Sequence, residues 1–110
     1  MSYEHKELAQ GRWKQLSFFE QMANLGSEVE RALNWQAKNN SLYSQKASNR
    51  ALELADLALD AAETFPRRKE LARLREALVD YFYGENQFGS TEASWRKYFF
   101  HFTYAARRNY

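Results

Sequence analysis

The residue pair best suited to acid–base chemistry lies in the segment 96–101, which begins with Arg96 and ends with His101. A histidine can take up the proton of a ribose 2′-hydroxyl, and an arginine can stabilise the charge that develops on the attacked phosphate. These two residue types are therefore compatible with acid–base chemistry at a phosphodiester. The interpretation that the sequence favours assigns the pair no catalytic role. In that case Arg96 is a surface residue, and His101 packs beside Tyr98 and Ala105 at the rim of the core.

Basic residues concentrate on the last two predicted helices, which suggests contacts with phosphate groups. Between residues 90 and 110, four basic residues accompany a single acidic residue, Glu92. Each phosphate contact adds salt-dependent affinity, and exposed aromatic side chains stack on unpaired bases. The candidate nucleic-acid-binding residues are Arg67, Arg68, Arg96, Lys97, Arg107 and Arg108, and Tyr98, Phe100, Tyr104 and Tyr110 are interleaved with the C-terminal ones. Alternatively, the arginines pair with acids such as Glu70 and Glu76, and the aromatic side chains form the core.

Acidic residues also form a stripe on one predicted helix, at Glu53, Asp56, Asp60 and Glu63. Such a stripe is either a docking face for a basic partner or a solvated helix face. Cysteine is absent, which excludes disulfides, thiol catalysis and thiolate metal sites. His5 and His101 are the two histidines, and neither belongs to a Glu-x-x-His pair of the kind that binds metals in helical bundles. We therefore expect no metal and no cofactor, and we infer no small-molecule substrate.

The elements that position these residues are predicted to be helices. One proline and four glycines in 110 residues disfavour a fold built from tight turns. Ser17 and Glu20 match a capping box, and apolar residues recur behind them at steps of three and four. Gly26 lies in the middle of this helix, where glycine is unfavourable; a close helix crossing is the expected reason, and a plain weak point of the helix is the alternative. Residues 1–16 are expected to form an arm or short helix that docks through Trp13.

Three further helices follow along the chain. Ser41 is the expected cap of an alanine-rich helix, and Pro66 suits the first turn of the next helix. Gly84 is expected to stop that helix in the left-handed conformation, and Ser90 is the candidate cap of the last helix. Four helices joined by short loops predict an all-α fold. We expect a small antiparallel four-helix bundle over residues 17–110, in a single domain with the N-terminal arm.

The last predicted helix is unusually rich in aromatic residues. Six of them fall between Trp95 and Tyr104 and occupy nearly the whole circumference of the helix. A helix that is apolar on every side is either central in its fold or shared with another chain. Because a chain of this size can hardly surround one of its own helices, we expect a homo-oligomer or an obligate partner.

Composition also limits the kinds of partner and the cellular location that we expect for the protein. The net charge of +2 means that nucleic-acid binding has to depend on local patches. No stretch approaches the ~20 apolar residues that a membrane span needs, and the first residues lack the apolar run of a signal peptide. We therefore expect a cytoplasmic protein without a membrane partner.

Size, helix number, the absence of cysteine and the basic C-terminal end make the chain resemble a group of small bacterial four-helix-bundle proteins. These are the Avd accessory proteins of diversity-generating retroelements and their relatives encoded in ribosomal-RNA intervening sequences. The resemblance concerns architecture alone and transfers no residue. It implies an oligomer that binds RNA and a protein partner without catalysing a reaction.

Arg96 and His101 are in turn similar to the R-x4-H motif of the HEPN superfamily. That resemblance implies an RNA-cleaving domain that dimerises to form its site. Lys97 departs from the motif, because a small polar residue commonly follows the arginine there.

Three functions therefore stay open at the level of sequence. The first is a non-enzymatic accessory protein that oligomerises and binds RNA, a protein partner or both. The second is a HEPN-like ribonuclease that uses Arg96 and His101. The third is a protein-only adaptor whose aromatic last helix forms the interface.

Overall fold

The computed structural model describes residues 11–108, which form five α-helices. A short helix, α1 (Trp13–Gln15), precedes the four long helices α2 (Phe18–Ala37), α3 (Ser41–Ala61), α4 (Phe65–Tyr83) and α5 (Glu92–Arg108). No described residue belongs to a β-strand. The predicted all-α bundle with a short N-terminal helix is therefore confirmed. Within the described range, no helix has the length and apolar character that crossing a membrane requires.

Trp13 anchors the N-terminal end of the described chain. Its side chain is only 1% exposed and belongs to the hydrophobic core, which confirms the predicted docking. The amide of Gln21 donates to the carbonyl oxygen of Trp13 at 3.0 Å and thereby ties α1 to α2. The remaining part of the predicted arm, residues 1–10, lies outside the described residues.

The predicted capping box at the start of α2 is confirmed. The hydroxyl of Ser17 accepts a hydrogen bond from the backbone N–H of Glu20 at 3.1 Å. In return, Glu20 Oε1 accepts one from the backbone N–H of Ser17 at 3.0 Å. Both bonds satisfy N–H groups that the first helical turn leaves without a carbonyl partner.

The predicted caps of α3 and α5 are each wrong by one residue. Asn40, not Ser41, caps α3, because its Oδ1 accepts from the backbone N–H of Tyr43 at 3.0 Å. Thr91, not Ser90, precedes α5, because its Oγ1 accepts from the backbone N–H of Ser94 at 3.0 Å. In both cases two neighbouring residues have side chains that can cap a helix. The sequence alone does not decide which of the two accepts the hydrogen bond from the first helical turn.

The end of α4 also differs from the prediction. Gly84 caps the helix with an extended backbone, at φ −108° and ψ −155°, and not in the left-handed conformation. The residues with a left-handed φ in the loop that follows are Asn86 (55°) and Gly89 (68°). The carboxylate of Asp80 accepts from the backbone N–H groups of Gln87 (2.8 Å) and Phe88 (3.0 Å), so this side chain holds the turn together with the backbone N–H of Gly84, which donates to the carbonyl oxygens of Val79 and Asp80.

The helix α2 is central in the bundle. It packs along α3 and along α5, and α3 also packs against α4. The connections 38–40 and 62–64 are short, so consecutive helices run antiparallel. By contrast, α4 and α5 approach each other less closely and meet mainly through side chains. The bundle is consequently tight around α2 and more open between α4 and α5.

The crossing of α2 and α5 depends on Gly26. A Cβ atom at this position would lie 2.8 Å from ring carbons of Phe99. The predicted close helix crossing is therefore confirmed, and its partner is the aromatic helix α5. On the other side of α2, the buried alanines Ala47, Ala51, Ala55 and Ala58 form a thin face of α3.

Candidate nucleic-acid interface

One face of α5 is fixed in the bundle core. Trp95 and Phe99 are each 5% exposed, and their rings stack with centroids 6.1 Å apart. Phe99 fills the space above Gly26 of α2. These contacts set the rotation of α5 about its own axis, and that rotation decides which of its other side chains face solvent.

The opposite face of α5 carries a contiguous set of exposed side chains that we call the outer stripe. Successive members lie one or three residues apart, so they share one side of the helix. The outer stripe consists of Lys97, Phe100, His101, Tyr104, Arg107 and Arg108, all of them exposed.

Two aromatic rings form the middle of the outer stripe. Phe100 is 64% exposed and Tyr104 is 58% exposed. Their centroids lie 6.3 Å apart and their planes are inclined by only 26°, so the two rings are nearly parallel. The ring of His101 lies 6.4 Å from that of Phe100, at 67°. The arrangement presents broad apolar ring faces to solvent on a rigid helix.

Cationic groups flank these rings on both sides. Lys97 lies about one turn before Phe100, whereas Arg107 and Arg108 lie about one turn after Tyr104. None of the three cations forms an ion pair with another residue in the described range. Arg107 and Arg108 also occupy the last turn of α5, where a positive charge is favoured by the helix dipole.

Arg96, a residue predicted to contact phosphate, is instead bound within the bundle. Its Nη1 donates to Glu30 Oε1 at 2.9 Å and its Nη2 donates to Asn34 Oδ1 at 2.9 Å. A further bond joins Nη2 to Glu92 Oε1 at 3.0 Å. The guanidinium thus bridges α5 to α2, and its donors point at protein groups.

The pair Arg96 and His101 is separated around the helix. Five residues at about 100° each turn the second side chain roughly 140° away from the first. Arg96 is half-buried against α2, whereas His101 is exposed on the outer stripe. The non-catalytic interpretation placed His101 at the rim of the core. That placement is wrong, because the side chain is exposed. A shared catalytic site would require a second chain to supply one of the two groups.

Arg67 and Arg68 lie in the first turn of α4. The guanidinium of Arg67 lies over the ring of Phe18, 4.9 Å from its centroid, and Phe102 of α5 packs against the same ring at 5.9 Å. Arg68 is exposed and its Nη2 donates to the carbonyl oxygen of Ala62 at 3.1 Å. Through Phe18, Arg67 thus lies near Phe102 of α5, and both arginines belong to a different helix from the outer stripe.

Tyr98, predicted to be available for stacking, faces α4 instead. Its hydroxyl donates to Glu70 Oε2 at 3.0 Å. Burial of the phenol and the negative charge of Glu70 raise the pKa of Tyr98 well above its ordinary value. The ring is therefore part of the contact between α4 and α5. Tyr110, the other tyrosine predicted near the C-terminal end, lies outside the described residues.

The acidic stripe of α3 is partly engaged in the fold. Asp56 accepts a hydrogen bond from Nε of Arg75 on α4 at 2.7 Å. Asp60 is exposed near the end of the helix, whereas Glu63 lies beyond α3 in the connection to α4, so the predicted inclusion of Glu63 in the helical stripe is wrong. Within residues 11–108, no group of three or more histidine and acidic residues is placed to hold a metal ion.

Sequence reasoning named the members of the outer stripe but did not separate them from the rest of α5. His101 in particular was interpreted either as catalytic or as a core residue. The signal that would have separated the stripe is its periodicity, since Lys97, Phe100, Tyr104 and Arg108 follow one another at steps of three or four.

The fold defines an all-α helical bundle with a short N-terminal helix, and the outer stripe is its candidate site. No family model, curated protein or solved structure matches the chain.

Proposed function

We propose that this protein is a non-enzymatic helical bundle that binds single-stranded RNA along the outer stripe of α5. The observation that carries the proposal is the nearly parallel, exposed pair Phe100 and Tyr104, flanked at both ends by cations that form no ion pair within residues 11–108. Surfaces for single-stranded nucleic acids combine these two features, because aromatic rings stack on bases and cations follow the phosphate backbone.

The stripe suits an unpaired strand better than a duplex. A ring can stack on a base only if the face of that base is free, and in a duplex both faces are covered by neighbouring bases. Phe100 and Tyr104 are well placed for such stacking because the helix backbone holds them about one turn apart.

The same features favour a polyanion over a protein as the occupant. Covering Lys97, Arg107 and Arg108 with an uncharged protein surface would remove three cations from water without a compensating charge, which is unfavourable. Lysine is also depleted in the cores of protein interfaces. A phosphate backbone supplies the missing negative charges along the whole stripe.

Titration of a labelled, unstructured RNA with the protein, followed by fluorescence anisotropy over a range of salt concentrations, tests the proposal. Three phosphate contacts predict that the logarithm of the association constant falls with the logarithm of salt concentration with a slope of about −2. Binding that does not change with salt would contradict the phosphate contacts. The same samples run on a denaturing gel should contain uncut RNA, and cleavage that disappears in His101→Ala would favour the ribonuclease instead.

Self-association is part of the proposal, and so is the expected cytoplasmic location. Light scattering of the RNA-free protein measures the oligomer mass. An oligomer whose mass is unchanged by Phe100→Ala agrees with a stripe that is free for RNA. An oligomer that dissociates in this variant would place the stripe in a protein interface and would favour the protein-only adaptor.

A further inference from the structure

A groove of about 550 Å³ runs between α4 and α5, on a different side of α5 from the outer stripe. It exists because these two helices approach each other less closely than the other neighbouring pairs do. Tyr98 and Glu70 join the helices by a hydrogen bond, and the rings of Tyr81 and Trp95 lie 6.1 Å apart. The volume lies within the range of about 300–1,000 Å³ that is typical of small-ligand sites.

The floor of the groove is apolar. Leu74 and Trp95 are each 5% exposed, and the ring of Tyr98 forms one wall. Ala77 contributes only a methyl group, so the floor stays wide where a larger side chain would close it. A flat ring or an acyl chain could lie on this floor and remove apolar surface from water.

The rim of the groove is cationic. Lys69 and Arg73 lie one turn apart on α4, and both side chains are exposed. Neither forms an ion pair with any other residue of the described chain. Glu70 is the acidic residue of the groove lining, and its carboxylate accepts the hydroxyl of Tyr98. The charge left for a ligand is therefore positive.

We propose that the α4–α5 groove binds a small amphiphilic anion, an aryl or acyl group with one acidic head group. The apolar part lies on Leu74, Ala77 and Trp95, and the head group pairs with Lys69 and Arg73. This site does not depend on the RNA-binding proposal, because it shares no residue with the outer stripe.

Two fluorescent probes that differ in charge test the site on the full-length protein. Anilinonaphthalene sulfonate has an apolar ring system and one anionic group, and phenylnaphthylamine has the same rings without the charge. We expect saturable binding of the sulfonate to one site per chain. In the double variant Lys69→Gln/Arg73→Gln its affinity should fall about tenfold, whereas the affinity of phenylnaphthylamine should change less than about twofold.

The double variant Arg107→Gln/Arg108→Gln is the matched control, because it removes the same charge from exposed positions outside the groove. It should leave both probes unaffected while weakening RNA binding, so the two proposals fail independently. Ala77→Phe should fill the floor and abolish binding of both probes. If that variant does not fold, Arg73→Glu serves instead, since it reverses the charge at an exposed position. Equal sulfonate affinity in the wild type and the rim variants would overturn the proposal, and so would an oligomer whose interface covers the groove.

Discussion

Gly26 and Phe99 lie in direct contact where α2 crosses α5, and a Cβ atom on Gly26 would come within 2.8 Å of the aromatic ring. This contact connects the core to the candidate site, because it fixes the rotation of α5. The outer stripe faces solvent only as long as Phe99 is seated against α2.

Gly26→Ala should therefore destabilise the protein, although alanine is the better helix former. Overpacking typically costs about 1–3 kcal/mol, and the gain in helix propensity returns up to about 1 kcal/mol. We expect a net loss of about 1–2 kcal/mol in the free energy of unfolding, measured by urea denaturation. Ser27→Ala, at an exposed neighbouring position, is the control and should change stability by less than about 0.5 kcal/mol. A Gly26→Ala protein as stable as the wild type would mean that the crossing can widen freely.

Phe100→Ala and Tyr104→Ala should each weaken RNA binding by about 1–3 kcal/mol, since each removes one stacking surface. Their stability should barely change, because both side chains are largely exposed. Phe88→Ala is the matched control, as Phe88 is 65% exposed but lies in the loop before α5. Anisotropy titrations at one salt concentration measure all three variants. If Phe88→Ala and Phe100→Ala bind RNA with equal affinity, Phe100 does not stack on the RNA bases.

Arg96→Gln should act on the fold and not on RNA binding. The guanidinium holds Glu30 and Asn34 of α2, and an exposed or half-exposed ion pair is worth up to about 1 kcal/mol. We therefore expect a loss of about 1 kcal/mol in the free energy of unfolding and little change in RNA affinity. A variant with wild-type stability that no longer binds RNA would show that Arg96 contacts phosphate. A variant with wild-type stability that has lost a cleavage activity of the wild type would show that Arg96 is catalytic.

Tyr98→Phe should reveal a pH dependence of stability. The pKa of Tyr98 is raised in the folded protein above the ordinary 10.0, first by burial and then by Glu70. The folded state therefore favours the protonated phenol. Its contribution is fully present below pH 10 and is lost as the pH rises above that value, because the unfolded chain ionises first.

Urea denaturation of the wild type and of Tyr98→Phe at about pH 8 and about pH 11 measures this effect. At the lower pH the wild type should be more stable by about 1.5–3 kcal/mol, the usual contribution of a hydrogen bond to a charged acceptor. At the higher pH the difference should shrink, because phenylalanine does not titrate. Tyr81, whose pKa is also raised, is present in both proteins and cancels from the comparison. A difference that stays constant would show that Tyr98 is exposed to solvent.

The features that sequence alone predicted are those that depend on neighbours along the chain. The capping box of Ser17 and Glu20 needs only residues three apart, and the helix periodicities need only one turn of repeats. Gly26 predicted a close helix crossing, because glycine is unfavourable in the middle of a helix unless a neighbour needs the space. Its contact Phe99, 73 residues later, could not be named, because several aromatic residues of α5 were equally suitable.

The features that sequence could not predict depend on how helices are rotated and spaced. Arg96 looked free because its partners Glu30 and Asn34 lie 66 and 62 residues earlier in the chain. Tyr98 and Phe100 are both aromatic and only two residues apart, yet one faces α4 and the other faces solvent. The α4–α5 groove could not be predicted from the sequence, since Lys69 and Arg73 look like any two exposed basic residues one turn apart on a helix.

Under the RNA-binding proposal, the length of the outer stripe sets the footprint of a single chain on RNA. From Lys97 to Arg108 the helix rises by about 17 Å, which spans roughly five stacked nucleotides at 3.4 Å each. A strand of that length offers few contacts, so we expect one chain to bind one short oligonucleotide weakly. If the proposed oligomer forms, longer RNA that reaches two outer stripes should gain from the effective concentration of the second site. Affinity should then rise steeply once the RNA is long enough to bridge two chains. The shortest RNA that shows this rise would measure the distance between two outer stripes.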